Sequence, residues 1–546
     1  MRYQSLFKRY FWGISITLVL AYALKVAPVF AAGQSKTDNP VFSQIDAYLT
    51  SQISTLHIPG ISVAIVKGDQ IVHSGGFGYA DSSGRAVTPQ TPMLIGSVTK
   101  SFTALAIMQL VEAEKINLDT PVVYYLPWFS VLTPSEGSNS GENQVPGSQA
   151  SARTPVLAQE RSAGASITIR HLLNQTSGLS TASGEKMMLD WDTSEAALER
   201  HVRALASEQM KRQPGSGFEY SNANYVTLGM VIQVVSGQSY EAYIQDHIFK
   251  PLNMHNSFSS QVEAQQHGLS AGYRQWFGFP VLAGNLPYPR GMLPAGYLFS
   301  SAEDLGHYLI AQLNQGRYQD SSILLPQSIE TLHAPAVAAV PEGYHKQPLG
   351  SYGMGWYNIE MNGTPVITHD GDTPTFHADV ILIPSGQWGI ALLVNSNTVL
   401  LGDDIRNLAA GVASLLNGQP PMPTPMNYRS LFLYIFMIGF LIFEVFNLVR
   451  GFATWHRPLQ PAEHKYSARF WFKYLGLPLL IGIIVACWMF VGMPLMFQVS
   501  WPIMLLNQPD LSWVILLGGA LALLNGFIRF GQNGWKILKL DRYPRE

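Results

Sequence analysis

The chain has 546 residues and a formal net charge of −2, because 34 basic residues nearly balance 36 acidic ones. This near neutrality, with no basic run or interleaved aromatic stripe, argues against nucleic acid as a partner. The single cysteine, Cys487, lies in an apolar run, which excludes a disulfide framework and a cysteine-based zinc site. The length is enough for more than one domain, and the hydrophobic fraction of 47% is unevenly distributed along it.

The first segment has the pattern of an export signal. A basic start precedes an apolar stretch at 10–24, and the small residues Ala31 and Ala32 follow it. A charged region, an apolar region and a small-residue cleavage site are typical of a signal peptide, which we place at residues 1–32. An uncleaved N-terminal anchor is the alternative, and either would export the domain that follows.

Residues 33–416 have the pattern of a mixed α/β domain. Apolar β-type runs at 61–66 and 71–74 flank a turn containing Gly68, which predicts a hairpin. A second pair of strands is predicted at 380–384 and 388–394. Helical spacing of apolar residues begins at Ser97 and recurs at 169–173 and 223–235. The pattern predicts one sheet built from both ends of the domain, with a helical region inserted between them.

Two segments lack periodicity. Residues 133–166 are rich in Ser, Gly, Gln, Glu and Pro, which predicts a disordered surface insertion. Residues 417–430 contain four closely spaced prolines, which predicts a semi-rigid linker.

Three apolar segments follow, at 431–449, 475–496 and 511–528, each near the length that a bilayer core requires. The connection after the first segment and the C-terminal tail are rich in Lys and Arg, whereas the loop at 497–510 has neither. By the positive-inside rule, residues 431–546 form three transmembrane helices with a cytoplasmic tail, and the large domain lies outside. Glu444 lies within the first segment, where snorkelling or an interhelical hydrogen bond is favoured over a functional role.

The catalytic candidates begin with Ser97-Val98-Thr99-Lys100 at the start of a predicted helix. Residues three apart share one helix face, and a neutral lysine amine on that face can take the serine hydroxyl proton. Tyr220-Ser221-Asn222 and His369-Asp370-Gly371 follow downstream. Each residue taken singly also has a non-catalytic interpretation: Ser97 could cap a helix, Tyr220 could be a half-buried core aromatic, and His369 could be a hydrogen-bonded histidine in a strand.

A metal site is the competing interpretation of the third motif. Histidines and carboxylates of the types that bind metals cluster at His369, Asp370, Asp372, His377 and Asp379. Their spacing matches no helical two-histidine motif, and serine chemistry needs no ion. We therefore expect no metal and no cofactor.

Together these motifs resemble the serine β-lactamase-related family, which includes class C β-lactamases, D-Ala-D-Ala carboxypeptidases, D-aminopeptidases and related esterases. The resemblance covers most of residues 40–416 and rests on blocks at 96–103, 169–179, 220–222, 294–305 and 369–371. It implies an α/β fold of the α+β type: an antiparallel sheet flanked by helices, plus an inserted helical region.

The resemblance also implies roles. Ser97 would attack a carbonyl and become acylated, with Lys100 as its base. Tyr220 would shuttle protons, either activating Ser97 or protonating the leaving group. Asn222 would hold Lys100 and the substrate amide, and the backbone N–H groups of Ser97 and Asp372 would stabilise the oxyanion beside Gly371.

The third motif departs from the β-lactamase pattern, where a lysine usually precedes the acidic or small residues. His369 stands in its place and, as a conditional cation, would bind a free carboxylate weakly. Asp370 and Asp372 would make the rim of the cleft more negative and favour a cationic or amine-bearing substrate.

The expected protein is a membrane-anchored, extracytoplasmic serine hydrolase. It would act through an acyl-enzyme on amide or ester bonds of D-amino-acid-containing or peptidoglycan-like compounds. Its partners would be a small-molecule or peptide substrate and the lipid bilayer. The architecture is similar to that of prodrug-activating peptidases with three C-terminal spans. A β-lactam or ligand sensor that acylates without turnover is the alternative function.

Overall fold

The computed structural model describes residues 39–134, 166–284, 286–340, 350–398, 403–421, 428–457, 468–497 and 499–542. The expected signal peptide, nearly all of the expected insertion and residues 422–427 of the expected linker lie outside these ranges.

The strands are, in chain order, β1 (Gly60–Lys67), β2 (Gln70–Gly78), β3 (Met93–Leu94), β4 (Tyr273–Trp276), β5 (Phe279–Leu282), β6 (Phe299–Ser300), β7 (Arg317–Tyr318), β8 (Ser321–Ser322), β9 (Val337–Ala338), β10 (Ser351–Gly353), β11 (Trp356–Met361), β12 (Thr364–Asp372), β13 (His377–Ile383), β14 (Trp388–Val394) and β15 (Ser396–Asn397).

The α-helices of the domain are α1 (Pro40–Leu56), α2 (Thr99–Glu112), α3 (Val122–Tyr125), α4 (Ile169–Leu173), α5 (Thr181–Met187), α6 (Ala197–Ala204), α7 (Asn222–Ser236), α8 (Tyr240–Ile244), α9 (Gln261–Gln266), α10 (Leu293–Gly296), α11 (Ala302–Leu313), α12 (Pro326–His333), α13 (Asp403–Arg406) and α14 (Leu408–Leu416). The α-helices of the C-terminal part are α15 (Tyr428–Ala453), α16 (Ala468–Trp471), α17 (Leu477–Cys487), α18 (Met493–Phe497), α19 (Trp501–Asn507) and α20 (Pro509–Arg542).

The main sheet is antiparallel, with the order β2-β1-β14-β13-β12-β11-β10-β9. Within this sheet β1, the first strand in the chain, pairs with β14, the last long strand in the chain, with Ala64 opposite Ala391. The expectation that both ends of the domain build one sheet is therefore confirmed. The β1–β2 hairpin turns through two residues, where Gly68 adopts a φ of 60° that glycine tolerates without strain.

The two faces of this sheet pack against different layers. Successive side chains of a strand point to opposite faces, and β1 shows the alternation. Ile61, Val63 and Ile65 pack with α1 and α14, whereas Ala64 and Val66 belong to the larger core that includes α2 and α7. The sheet thus lies between a thin helical layer and the inserted helical region, and the site forms on the second side.

Three C-terminal helical segments are long and apolar enough to cross a membrane: Leu431–Ala453, Ala468–Met496 and Pro509–Lys539. They correspond to the three expected segments, with longer ends. The second is built from α16, α17 and α18 joined by two π-helical segments. Glu444 is buried between helices and accepts a hydrogen bond from Asn525 Nδ2 at 2.6 Å, which is the interhelical bond favoured from the sequence.

Candidate active site

Ser97 lies in a short 3-10 turn, Gly96–Val98, that immediately precedes α2. Gly96 has a φ of 52°, and a Cβ added to it would lie 2.6 Å from the carbonyl carbon of Gly371. The turn is therefore pressed against the end of β12, and only glycine fits at this point. The α-helix itself begins at Thr99, two residues after the expected start at Ser97.

Lys100 is fully buried in the first turn of α2, three residues after Ser97, and its Nζ has three partners. They are Ala295 O at 2.6 Å, Asn222 Oδ1 at 2.8 Å and Ser97 Oγ at 2.9 Å. The first two atoms can only accept hydrogen bonds. A neutral amine has two hydrogens and one lone pair, so both hydrogens go to these acceptors and the lone pair faces Ser97 Oγ.

Burial lowers the pKa of Lys100 to about 7, and the negative charge of Asp370 opposes the shift. A buried ammonium loses its hydration, which favours the neutral form. Near neutral pH a large fraction of Lys100 is then an amine, as a base for the Ser97 hydroxyl requires.

Tyr220 and Asn222 reach the same point from the start of α7. The Lys100 Nζ lies 4.9 Å from the centre of the Tyr220 ring. Burial raises the pKa of Tyr220 far above its ordinary value, although a hydrogen bond with Ser97 opposes the rise, so the phenol keeps its proton. The intervening Ser221 fixes this segment, because its N–H donates to Gln175 Oε1 at 3.0 Å and its hydroxyl to Ser180 O at 2.7 Å.

The end of β12 supplies backbone donors beside Ser97. Gly371 is opposite Ala378 on β13, and Thr373 N donates to Phe376 O at 3.0 Å. Because ladder hydrogen bonds alternate along an antiparallel strand, the N–H of Asp372 points away from β13. Pairing with β11 ends at Thr368, so this N–H faces the cleft. A Cβ on Gly371 would lie 3.0 Å from Ser97 N, which shows how close the two segments are.

His369 does not lie on the rim of the cleft as a conditional cation. Its side chain is 1% exposed and is surrounded by the rings of Tyr220, Tyr352 and Tyr357 at centroid distances of 6.4, 6.0 and 5.3 Å. Burial, helped by the charge of Lys100, lowers the pKa of His369 to about 3. The expectation of a histidine that charges near neutral pH is therefore wrong, because tyrosines enclose the ring.

The two acidic residues of the motif differ in environment. Asp372 accepts hydrogen bonds from His377 Nδ1 and Asn397 Nδ2, both at 2.8 Å, and pairs with Arg406 at 2.8 Å. The expectation that Asp372 makes the rim more negative is wrong, since these partners compensate its charge. The Asp370 side chain is 47% exposed, and partial desolvation together with nearby Asp372 and Asp379 raises its pKa to about 6. Asp370 is therefore the more exposed and less compensated acid of the motif, and its Oδ1 lies 4.0 Å from Nδ1 of the buried His369.

His377 lies at the centre of the histidines and carboxylates for which a metal site is the competing interpretation. Its Nδ1 contacts Asp372 at 2.8 Å and its Nε2 contacts Asp379 at 2.9 Å. These carboxylates raise the pKa of His377 to about 10 against the effect of burial, so the ring is an imidazolium that donates through both nitrogens. Within the described ranges, no group of three or more His, Cys, Asp or Glu side chains is arranged to hold a metal ion.

The structure thus brings Ser97, Lys100, Tyr220, Asn222, Gly371 and the Asp372 amide to one point, with His369 behind them. Sequence reasoning missed the carbonyl of Ala295 as a partner of Lys100, because a backbone acceptor has no residue signature. It also missed Asn397 and Arg406, which hold Asp372. The polar run Asn395-Ser396-Asn397 directly after a buried strand was the available signal for Asn397.

Comparisons with known proteins agree with this architecture. The Pyrococcus abyssi octameric penicillin-binding protein homologue has 28% sequence identity and a TM-score of 0.57, covering 72% of this chain and 81% of its own. EstCE1, described as a hydrolase with promiscuous acyltransferase activity, has 20% identity and a TM-score of 0.55, covering 68% of this chain and 98% of its own, and shows a shared fold. The fold is that of β-lactamase-type and penicillin-binding-protein-like serine hydrolases.

The β-lactamase family model matches residues 45–413, and the chain belongs to that family. Among curated relatives, protein flp of Staphylococcus aureus (strain MW2) is 29% identical over 357 residues, which are 65% of this chain. The match spans 63% of the length of flp. Penicillin-binding protein 4 of Amycolatopsis lactamdurans is 27% identical over 391 residues, covering 69% of this chain and 92% of its own.

Proposed function

We propose that this protein is a membrane-anchored serine hydrolase that cleaves amide or ester bonds outside the cytoplasm through an acyl-enzyme on Ser97. The observation that carries the proposal is the bonding of Lys100. Its Nζ lies 2.9 Å from Ser97 Oγ, and when the amine is neutral its two hydrogens bond to Ala295 O and Asn222 Oδ1, which leaves the lone pair for the Ser97 hydroxyl.

In acylation, Ser97 Oγ forms a bond to the substrate carbonyl carbon and its proton passes to Lys100 Nζ. The negative oxygen of the tetrahedral intermediate lies between the N–H groups of Ser97 and Asp372. The bond to the leaving group then breaks. Tyr220, which keeps its proton, donates it to the departing amine or alkoxide and regains one from Lys100.

In deacylation, water takes the place of the leaving group. Lys100, neutral again, accepts a proton from water directly or through Tyr220 as the water oxygen bonds to the acyl carbon. The bond between that carbon and Ser97 Oγ breaks, Ser97 recovers its proton, and the product is a carboxylic acid.

The substrate preference follows from the charges of β12. A neutral His369 offers no cation to a free substrate carboxylate, whereas the half-exposed Asp370 offers an anion to an amine. We propose a D-amino-acid-containing or peptidoglycan-like substrate that carries an amine near the scissile bond.

The proposed sidedness has support from contacts between the domain and the spans. The domain hydrogen-bonds with Leu506 and Gln508, between the second and third candidate spans, and with Asp510, in the first turn of the third. This connection has no lysine or arginine, whereas the opposite loop is basic. Since basic loops remain in the cytoplasm, the domain lies on the outer side.

The test is a time course of product release in detergent or nanodiscs, with p-nitrophenyl butyrate, D-alanine p-nitroanilide and a penicillin as probes. We expect release of many product equivalents per protein from the ester or the anilide, and none above background from a Ser97→Ala variant. Release that stops at one equivalent with every probe would instead identify a sensor or penicillin-binding role and contradict the hydrolase proposal.

A further inference from the structure

The β4–β5 hairpin exposes apolar side chains outside the catalytic cleft. In β5, Phe279 is 58% exposed, Leu282 is 51% exposed and Val281 is 40% exposed. The sequence from Trp276 to Gly284 contains no charged residue. Contiguous exposed apolar surface on a folded domain marks an interaction site with a protein, ligand or membrane.

This hairpin is attached to the outer ends of two candidate spans. The N–H of Phe277, in its turn, donates to Asp510 Oδ2 at 2.8 Å, and the Phe277 ring lies 5.4 Å from the Tyr434 ring. Arg274 Nη1 donates to Leu506 O at 3.3 Å. Asp510 lies in the first turn of α20, so the hairpin lies where this span meets the domain.

The apolar surface of the hairpin adjoins a surface that faces lipid. Near Tyr434 in α15, Phe432 is 70% exposed, Ile435 is 62% exposed and Phe436 is 57% exposed. Exposed apolar side chains on a membrane span contact lipid. The hairpin extends this apolar surface from the span onto the domain, which favours lipid as its occupant over a second protein.

The hairpin is also fixed relative to the sheet. β4 pairs in parallel with β15, Arg274 opposite Asn397. Thr398, which follows β15, donates to Gln508 Oε1 at 2.9 Å in the connection between spans. Because Asn397 also holds Asp372, the same strand links the hairpin, the membrane end and the oxyanion side of the cleft.

We propose that the β4–β5 hairpin inserts Phe279, Val281 and Leu282 into the lipid leaflet next to the domain and so holds the catalytic cleft at the membrane surface. Apolar and aromatic side chains at this depth bind lipid by burying their surface in the acyl boundary. The inference rests on the proposed membrane anchoring and adds a second, peripheral contact to it.

The experiment uses the full-length protein in nanodiscs of phosphatidylethanolamine and phosphatidylglycerol. Cys487 is replaced by serine, and a single cysteine is introduced by Phe279→Cys or Leu282→Cys and labelled with a small fluorophore. The matched control is Leu325→Cys, a 60% exposed apolar residue whose N–H contacts Glu112 at the far end of α2 from Ser97. Quenching is measured with an aqueous nickel chelate and with lipids carrying a nitroxide near the headgroup.

We expect labels at 279 and 282 to be quenched by the nitroxide lipids and to be about tenfold less accessible to the aqueous quencher than the label at 325, as burial of a large apolar side chain implies. Aqueous access equal to that of the control would overturn the inference. Labels at 279 and 282 that neither quencher reaches would also overturn the inference, because such shielding would indicate contact with protein instead of lipid. Failure of the protein to enter nanodiscs would instead refute the membrane anchoring itself.

Discussion

Lys100→Met is expected to lower kcat/KM for a p-nitrophenyl ester by about 10²–10⁴, the contribution of a positioned general base. Methionine keeps an apolar stem at the buried position but has no basic nitrogen to take the Ser97 proton and no hydrogens for Ala295 O and Asn222 Oδ1. Steady-state kinetics of the purified variant measures the effect. Lys250→Met, at an exposed lysine that pairs with Asp246, is the matched control and should leave kcat/KM unchanged.

The role of Lys100 as the base also predicts the direction in which kcat/KM changes with pH. The pKa of Lys100 is lowered to about 7, and only the neutral amine accepts the Ser97 proton. We therefore expect kcat/KM of the unmodified protein to rise about tenfold per pH unit up to about pH 7 and then to level off. The residual activity of Lys100→Met should lack this rise. A Lys100→Met variant with the full rise and normal kcat/KM would show that another group is the base.

Gly371→Ala is expected to lower kcat by about 10²–10³, the usual loss when an oxyanion donor is removed. The added Cβ would lie 2.0 Å from Ile95 O and 3.0 Å from Ser97 N, and both neighbours are backbone atoms that cannot rotate away. β12 must therefore separate from the Ser97 turn, which moves the amide of Asp372 away from the amide of Ser97. Lys100 is not touched.

The readout is the acylation rate together with thermal unfolding, so that a loss of activity is distinguished from a loss of fold. Gly284→Ala is the matched control, because a Cβ there meets nothing within 4 Å. It should keep the acylation rate. A folded Gly371→Ala variant that acylates within about twofold of the unmodified rate would contradict the placement of the oxyanion site.

Much of the fold was predictable because its signals are local. Alternating or continuous apolar runs bounded by turn residues identified β1, β2 and β14, and helical spacing identified α2 and α7. The position of strands at both ends of the domain predicted one sheet built from both ends, but the pairing of β1 with β14 itself comes from the structure. The lengths of the apolar segments identified the three helical segments that are long and apolar enough to cross a membrane, although these extend beyond the predicted ranges.

The sequence predicts which residue types form the site, but it does not predict the surroundings that set the charge of each side chain. Spacing places Ser97 and Lys100 on one helix face, and the downstream motifs supply Tyr220 and Asn222. Whether His369 charges depends on the tyrosines that enclose it, and these come from β10, β11 and the segment before α7. The charge of Asp372 depends on Arg406 and Asn397, which are distant in sequence. Such through-space effects on pKa depend on contacts between residues that are far apart in the sequence.

The attachment of the β4–β5 hairpin to the C-terminal helices illustrates the same limit. Phe277 and Asp510 are 233 residues apart, and their hydrogen bond joins a loop of the domain to the start of α20, a helix long and apolar enough to cross a membrane. Composition shows that both regions are apolar, but it does not show that they meet.

The most direct test of Ser97 as the nucleophile is the mass of the protein after reaction with a fluorophosphonate, followed by mapping of the modified peptide. We predict one adduct per chain, located on Ser97, absent from Ser97→Ala and retained in Ser101→Ala, whose buried hydroxyl donates to Val98 O at 2.8 Å. An adduct that persists in Ser97→Ala, or that maps to another residue, would contradict the assignment of Ser97 as the acylated serine.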